Sequence, residues 1–245
     1  MRIAILADIH GNLPALEAAL YHMEGLQVDQ VVIAGDVVIG SPDSAGCWKR
    51  VCELECPILR GNQERYVALL GTPEGDPEWE TRQFTLVQWA AQQFTSEERK
   101  VLGELPLTLR LSETPDLLVV HASARSDADS IFASTPEEEL QEMFPGVTEK
   151  WIVRGHNHMG QVQLWGDRKI ITSGSVGLPL DGRTTAQYVL LEQRRDGWQV
   201  FHQSVPYDIE QTIRRFEETG YLEFAGPMGR IYLQELATAS LQIVP

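Results

Sequence analysis

Long apolar runs, paired cysteines and basic charge are what this 245-residue sequence has least of. Stretches such as Val31-Val32-Ile33-Ala34 fall far short of the roughly 18 apolar residues that cross a bilayer. The opening Met1–Ala7 is too short for a signal-peptide core and meets Asp8 at once, so it reads as a strand and the expected location is cytoplasmic. The 3 cysteines, Cys47, Cys52 and Cys56, lack Cys-x-x-Cys spacing and a distant partner group, so they read as free thiols and small hydrophobes. Lys and Arg number 20 against 35 Asp and Glu, a net charge of -15 that disfavours anionic membranes and general nucleic-acid binding. It does not exclude an anionic substrate, because bound cations can reverse the sign inside one pocket.

What is present is a soluble, globular pattern, with 43% apolar residues and a mean hydropathy of -0.19. The chain is long enough for one large α/β domain or two small ones. Arg2–Ala7, Gln30–Ala34 and Cys56–Leu59 read as strands, separated by helical patterns at Leu13–Gly25 and Asp43–Leu54. That alternation predicts βαβ units and a mainly parallel sheet. Residues 71–106 break the rhythm: a Pro/Gly-rich loop leads to helices expected at Trp79–Phe94 and Ser96–Leu105, a helical insertion beside the site. The second half reads as strands at Leu107–Leu111, Leu117–Val120, Trp151–Val153, Gly160–Trp165, Lys169–Thr172, Gln187–Glu192 and Trp198–Val205, with helices at Pro136–Met143 and Asp208–Thr219. The segment from Gly226 reads as a last helix ending in an extended tail. No repeat or linker interrupts residues 1–245, which are expected to form a single domain.

Histidine is scarce too, and its placement is informative. Of 6 histidines, four fall just after apolar strands: His10, His121, His156 and His158. Asp8, Asp36 and Asn62 occupy equivalent positions, and ligands of parallel α/β sheets bind at such strand ends. Asp8 and His10 are two residues apart, as are His156 and His158, and on an extended strand that spacing aims both side chains to one face. One such residue at a strand end is ordinary turn chemistry; seven together point to a metal site. His22 and His202 read as structural or exposed.

In order, Asp8-x-His10, Gly35-Asp36, Gly61-Asn62-x-Glu64, His121 and Gly155-His156-x-His158 resemble the calcineurin-like metallophosphoesterase superfamily. The segment Gly174–Gly182 is similar to that of its small bacterial and archaeal phosphodiesterase branch. The resemblance implies a four-layer α/β/β/α sandwich of two mixed sheets flanked by helices. It implies two divalent metal ions, Mn2+ foremost with Fe, Zn or Ni as alternatives. Asp8, His10 and His158 would hold one, Asn62, His121 and His156 the other, and Asp36 would bridge both. Asp36 and Asn62 are the expected catalytic residues: hydroxide generated between the metals attacks the phosphorus of a small phosphoester in line. Asn12, Gln63 and Arg183 are expected to contact substrate. Two departures stand out. Gln63 replaces a common histidine and cannot act as a proton donor; Leu180 replaces a common arginine, for which Arg183 could substitute. They favour diesters or anhydrides with acidic leaving groups. They also keep open a non-catalytic protein-binding scaffold, or a dinucleoside polyphosphate or protein phosphatase on the same site.

Overall fold

The structure, a computed structural model, describes residues 1–242 other than 112 and 115. Side chains of β1 (Arg2–Leu6) are buried on both faces of its sheet, which sets the layers of the fold. Ala4 and Leu6 face helices, whereas Ile3, Ile5 and Ala7 face a second sheet. Beside β1 run β2 (Gln30–Ile33), parallel, and β8 (Thr185–Arg194), antiparallel; β8 makes a hairpin with β9 (Gly197–Pro206), for an order of β2-β1-β8-β9. The second sheet is β3 (Thr108–Arg110), β4 (Leu117–Val120), β5 (Trp151–Arg154), β7 (Arg168–Thr172) and β6 (Gln161–Trp165), in that order, with β4, β5 and β7 parallel. Leu117, Val119, Trp151, Val153 and Ile171 meet Ile3, Ile5, Val189 and Leu191 in the core between the sheets.

The opposite face of the second sheet, Leu118, Val120, Ile152 and Ile170, is covered by α6 (Glu137–Met143) through Leu140 and Met143. The outer face of the first sheet carries α1 (Leu13–Glu24), α2 (Ser44–Cys52), α3 (Asn62–Leu69), α4 (Thr85–Ala91) and α5 (Ser96–Glu104). Thr95 and Glu98 close a capping box at the start of α5. Finally α7 (Ile209–Glu218) and α8 (Tyr221–Thr238) join through Phe216, Tyr221 and Tyr232, with Leu178 in the same cluster. The result is the expected α/β/β/α arrangement of two mixed sheets flanked by helices.

Three local expectations are corrected. Cys56–Leu59 is not a strand but a single parallel bridge, Ile33 to Ile58. Pro57 has no N–H to extend a ladder, and α3 begins only a few residues later. The helix expected at Trp79–Phe94 is broken into 3-10 turns at Pro77–Glu80 and Arg82–Phe84 followed by α4. Thr81 is extended there, and the Gln88 amide donates to the carbonyls of Trp79 and Thr81. The last helix starts at Tyr221 and is kinked at Gly226 (φ 59), before Pro227; the tail expected beyond it includes residues 243–245, outside the described residues. The cysteines are free thiols. Among the described residues, no helix is long and apolar enough to cross a membrane.

Candidate metal centre

The residues singled out at strand ends converge, but not as strand residues. β1 stops at Leu6 and β5 at Arg154. Asp8 (φ 56), His10 (φ 52), Asp36 (φ 55), His156 (φ 71) and His158 (φ 60) are all left-handed. The same-face argument for extended chain is therefore wrong in its geometry: tight loops aim each pair inward. Such conformations are strained for residues with a Cβ, by about 1–3 kcal/mol each, and cluster where function requires them. Main-chain bonds lock the loops together, from Asp8 N–H to Gly35 O (3.1 Å) and from His10 N–H to Asp36 O (3.0 Å). His156 N–H donates to Asp8 Oδ2 (2.9 Å).

Two donor groups result, Asp8 with His10 and His158, and Asp36 with His121 and His156, each having its ligand atoms within 4.8 Å of one another. Asn62 joins the second group, its Oδ1 lying 3.3 Å from His121 Nε2 and 3.1 Å from His156 Nδ1. Asp36 Oδ2 is 3.4 Å from His121 Nε2 and 3.8 Å from His10 Nε2, so its carboxylate stands between the groups.

The tautomers test whether cations fit. His10, His121 and His158 each turn Nδ1 to a carbonyl oxygen, of Ile39 (2.8 Å), Ala34 (2.8 Å) and Leu178 (2.7 Å). A carbonyl only accepts, so Nδ1 carries a hydrogen, and in a neutral ring Nε2 presents a lone pair. Those of His10 and His158 meet at 3.0 Å. His121, held charged by Asp36 and Asp8, turns its Nε2 to the oxygens of Asn62 and Asp36 and would present a lone pair once a cation took the place of that proton. Acceptors crowded against acceptors in a buried site call for shared positive charge. The donor set fits divalent cations, and its imidazole, carboxylate and amide groups suit Mn, Fe, Zn or Ni better than Ca.

The electrostatics agree. Burial pushes Asp8 up to about 6. Burial also opposes ionisation of Asp36, but His121, His10 and the Gln63 N–H outweigh it and hold that carboxylate below its usual range. Burial disfavours a charged His121, yet Asp36 and Asp8 overcome it and raise the ring to about 9. His156 and His158 are driven down to about 4, chiefly by burial, and His10 is lowered by burial and by His158. Most of the imidazoles thus offer free lone pairs at neutral pH.

The three expected substrate contacts separate. Gln63 lines the cavity at the centre, and its N–H donates to Asp36 Oδ1 (2.9 Å). Asn12 does not face the centre: fully buried, it caps α1 through Ala15 N–H and bonds Gly177 O, Tyr207 Oη and Thr212 Oγ1. Arg183 is exposed and pairs with Asp181 away from the cavity lining. His22 bonds Tyr188, and His202 donates to Thr172 O.

Two positioning residues had no role in the sequence reading. Glu64 is fully buried and accepts from the N–H groups of Asp36, Val37, Val38 and Gly61. Burial and Asp36 push its carboxyl up to about 7, while those donors favour the charged form. Its spacing from Gly61 is that of the glutamate half of a capping box, the half Glu64 makes alone because glycine has no side chain. Arg154, also fully buried, donates to Ala122 O, Asn157 Oδ1 and Asp129 O, tying the His121 loop to the His156 loop. A charged residue ending an apolar strand gave no sign of it.

The profile of the calcineurin-like phosphoesterase superfamily domain matches residues 1–196. The chain therefore belongs to that superfamily, a family of metal-dependent hydrolases of phosphoesters. An uncharacterized protein of Methanocaldococcus jannaschii is 24% identical over 239 residues, covering 91% of this chain and 95% of that one. The crystal structure of a metallophosphoesterase from Sphaerobacter thermophilus superposes with a TM-score of 0.75 at 26% identity, covering 98% of this chain and 99% of that one. A hypothetical protein from Pyrococcus horikoshii has the same fold, with a TM-score of 0.76 at 18% identity and coverage of 98% and 99%.

Proposed function

We propose that this chain hydrolyses phosphodiesters at a dinuclear centre, with Mn2+ the favoured ion. The observation that carries the reading is the pair of donor groups that Asp36 joins, with the lone pairs of His10 and His158 turned on one another. Divalent cations bound there supply a nucleophile ionised near pH 7 and neutralise phosphoryl charge. The chain's own residues do the rest. Asp36 stands between the two groups and sets their spacing, and Asn62 Oδ1 completes the second. The Asn62 amide nitrogen is free to orient a phosphoryl oxygen. Gln63 offers an amide where a proton donor would assist a poor leaving group, so turnover depends on the acidity of the leaving alcohol. That dependence favours diesters with good leaving groups over alkyl monoesters.

Hydrolysis of bis-4-nitrophenyl phosphate with Mn2+ tests the reading, with His156→Ala as the comparison. The expected outcome is turnover by the native chain and a loss of at least about 10²-fold in the variant. Equal rates would remove the assigned centre. Bound metal without turnover on any ester would favour a protein-binding scaffold instead.

A further inference from the structure

We infer that this centre is built for a phosphoester carrying one uncharged, ring-bearing group, held on an apolar wall assembled from three separate segments. The inference rests on the phosphoesterase reading and names its substrate class. A cavity of about 340 Å³ opens onto His10, Asp36, Asn62, His156 and His158. Apart from them and the amides of Gln63 and Gln83 its wall is mainly apolar: Tyr66 from α3, Phe84 just before α4, Leu86 and Val87 within it, and Met228 from α8. Among the described residues, neither lysine nor arginine lines it. The nearby guanidinium of Arg65 is held by Asp127, with Nε to Oδ2 at 2.9 Å and a second bond from Nη2 to Oδ1 at 2.9 Å.

Charge and size decide between occupants. Each phosphate beyond the one at the centre would lie against hydrocarbon with no cation to pair it, which is unfavourable for a polyphosphate chain. A neutral ring gains by leaving water for the same wall. The volume is at the low end of ligand pockets, roughly 300–1,000 Å³, and so suits one ring with its phosphoryl group rather than two nucleosides. Tyr66 is a firm platform, since its ring packs against Trp79 with centroids 4.7 Å apart. Gln63 and Gln83 give the cavity neutral amides but no charge.

Calorimetry on the full chain loaded with Mn2+ compares phenylphosphonate with methylphosphonate, which differ in the ring. Phenylphosphonate should bind at least about tenfold more tightly. Met228→Ala should narrow that gap, and Met228→Lys should narrow it further. Equal affinities, or no binding of either by protein shown to hold Mn2+, would overturn the inference. Rates on phenyl and methyl 4-nitrophenyl phosphate, with diadenosine tetraphosphate alongside, separate the two proposals. Turnover of both diesters at equal kcat/KM, or faster turnover of the tetraphosphate, leaves the phosphoesterase standing and removes the apolar subsite. Tighter phenylphosphonate binding without turnover of any ester does the reverse.

Discussion

Glu64 shows how much of the centre depends on a residue that faces away from it. Its carboxylate gathers main-chain N–H groups from both the Asp36 loop and the start of α3, and thereby fixes Asp36 and Asn62 relative to each other. Replacing it with glutamine removes the charge and turns one acceptor into a donor pointed at N–H groups. Glu64→Gln should destabilise the protein by about 1–3 kcal/mol, read by denaturant titration. It should also weaken Mn2+ binding through misplaced Asp36 and Asn62, read by calorimetry; unchanged metal affinity would reduce Glu64 to a plain helix cap. Gly61 explains the close approach at the same point. A Cβ there would stand 2.1 Å from Asp36 Oδ1, so only glycine lets α3 begin against that carboxylate.

Between elements, the helical layer and the centre are joined through α8. Tyr221 donates from its hydroxyl to Gly40 O, and Tyr232 packs where a side chain on Gly40 would otherwise lie. Both tyrosines belong to the cluster that docks α7 and α8, while Met228 and Tyr232 reach the cavity. Tyr221→Phe keeps the ring but leaves the Gly40 carbonyl without this donor, an expected loss of about 1–2 kcal/mol. A melting curve measures the loss, and hydrogen exchange localises it: the Asp36–Ser41 loop should exchange faster than in the native chain, whereas uniform protection would break the link.

For the whole molecule, buried histidines make stability depend on pH. In chelator-treated protein, His156 and His158 hold their protons only below about 4. The unfolded chain binds them near 6.5, so it takes up more protons across that window and stability falls as pH drops from about 6.5 to about 4. Asp8, raised to about 6, and Glu64, raised to about 7, act in the opposite sense between those values and their ordinary ranges and offset much of the loss. His121, raised to about 9, contributes stability that is complete below about 6.5 and is lost as pH rises through 9. Stability should therefore fall as pH rises from about 7 to about 9, by an amount on the order of a few kcal/mol, and change less on the acid side, where the two sets oppose each other. Thermal melts from pH 4.5 to 9 test this. A Tm that rises from pH 7 to 9 would contradict it.

The sequence by itself determined which side chains could meet. Asp8, His10, Asp36, Asn62, His121, His156 and His158 follow short apolar stretches, and burying those stretches in two sheets brings their ends to one rim. The layering was not legible in Ile3, Ala4, Ile5 and Leu6, which are all apolar and all buried; the structure turns them alternately to the two sides of their sheet. Only the tertiary structure decided how the donors are aimed. Left-handed backbone at five of them, imidazoles set by the carbonyls of Ile39, Ala34 and Leu178, and Glu64 reaching between two loops all depend on partners distant in the chain. For the same reason Asn12 and Arg183, plausible from their neighbours in sequence, were claimed by a helix cap and by Asp181, while Arg154 gained its role from loops that no local pattern brings together.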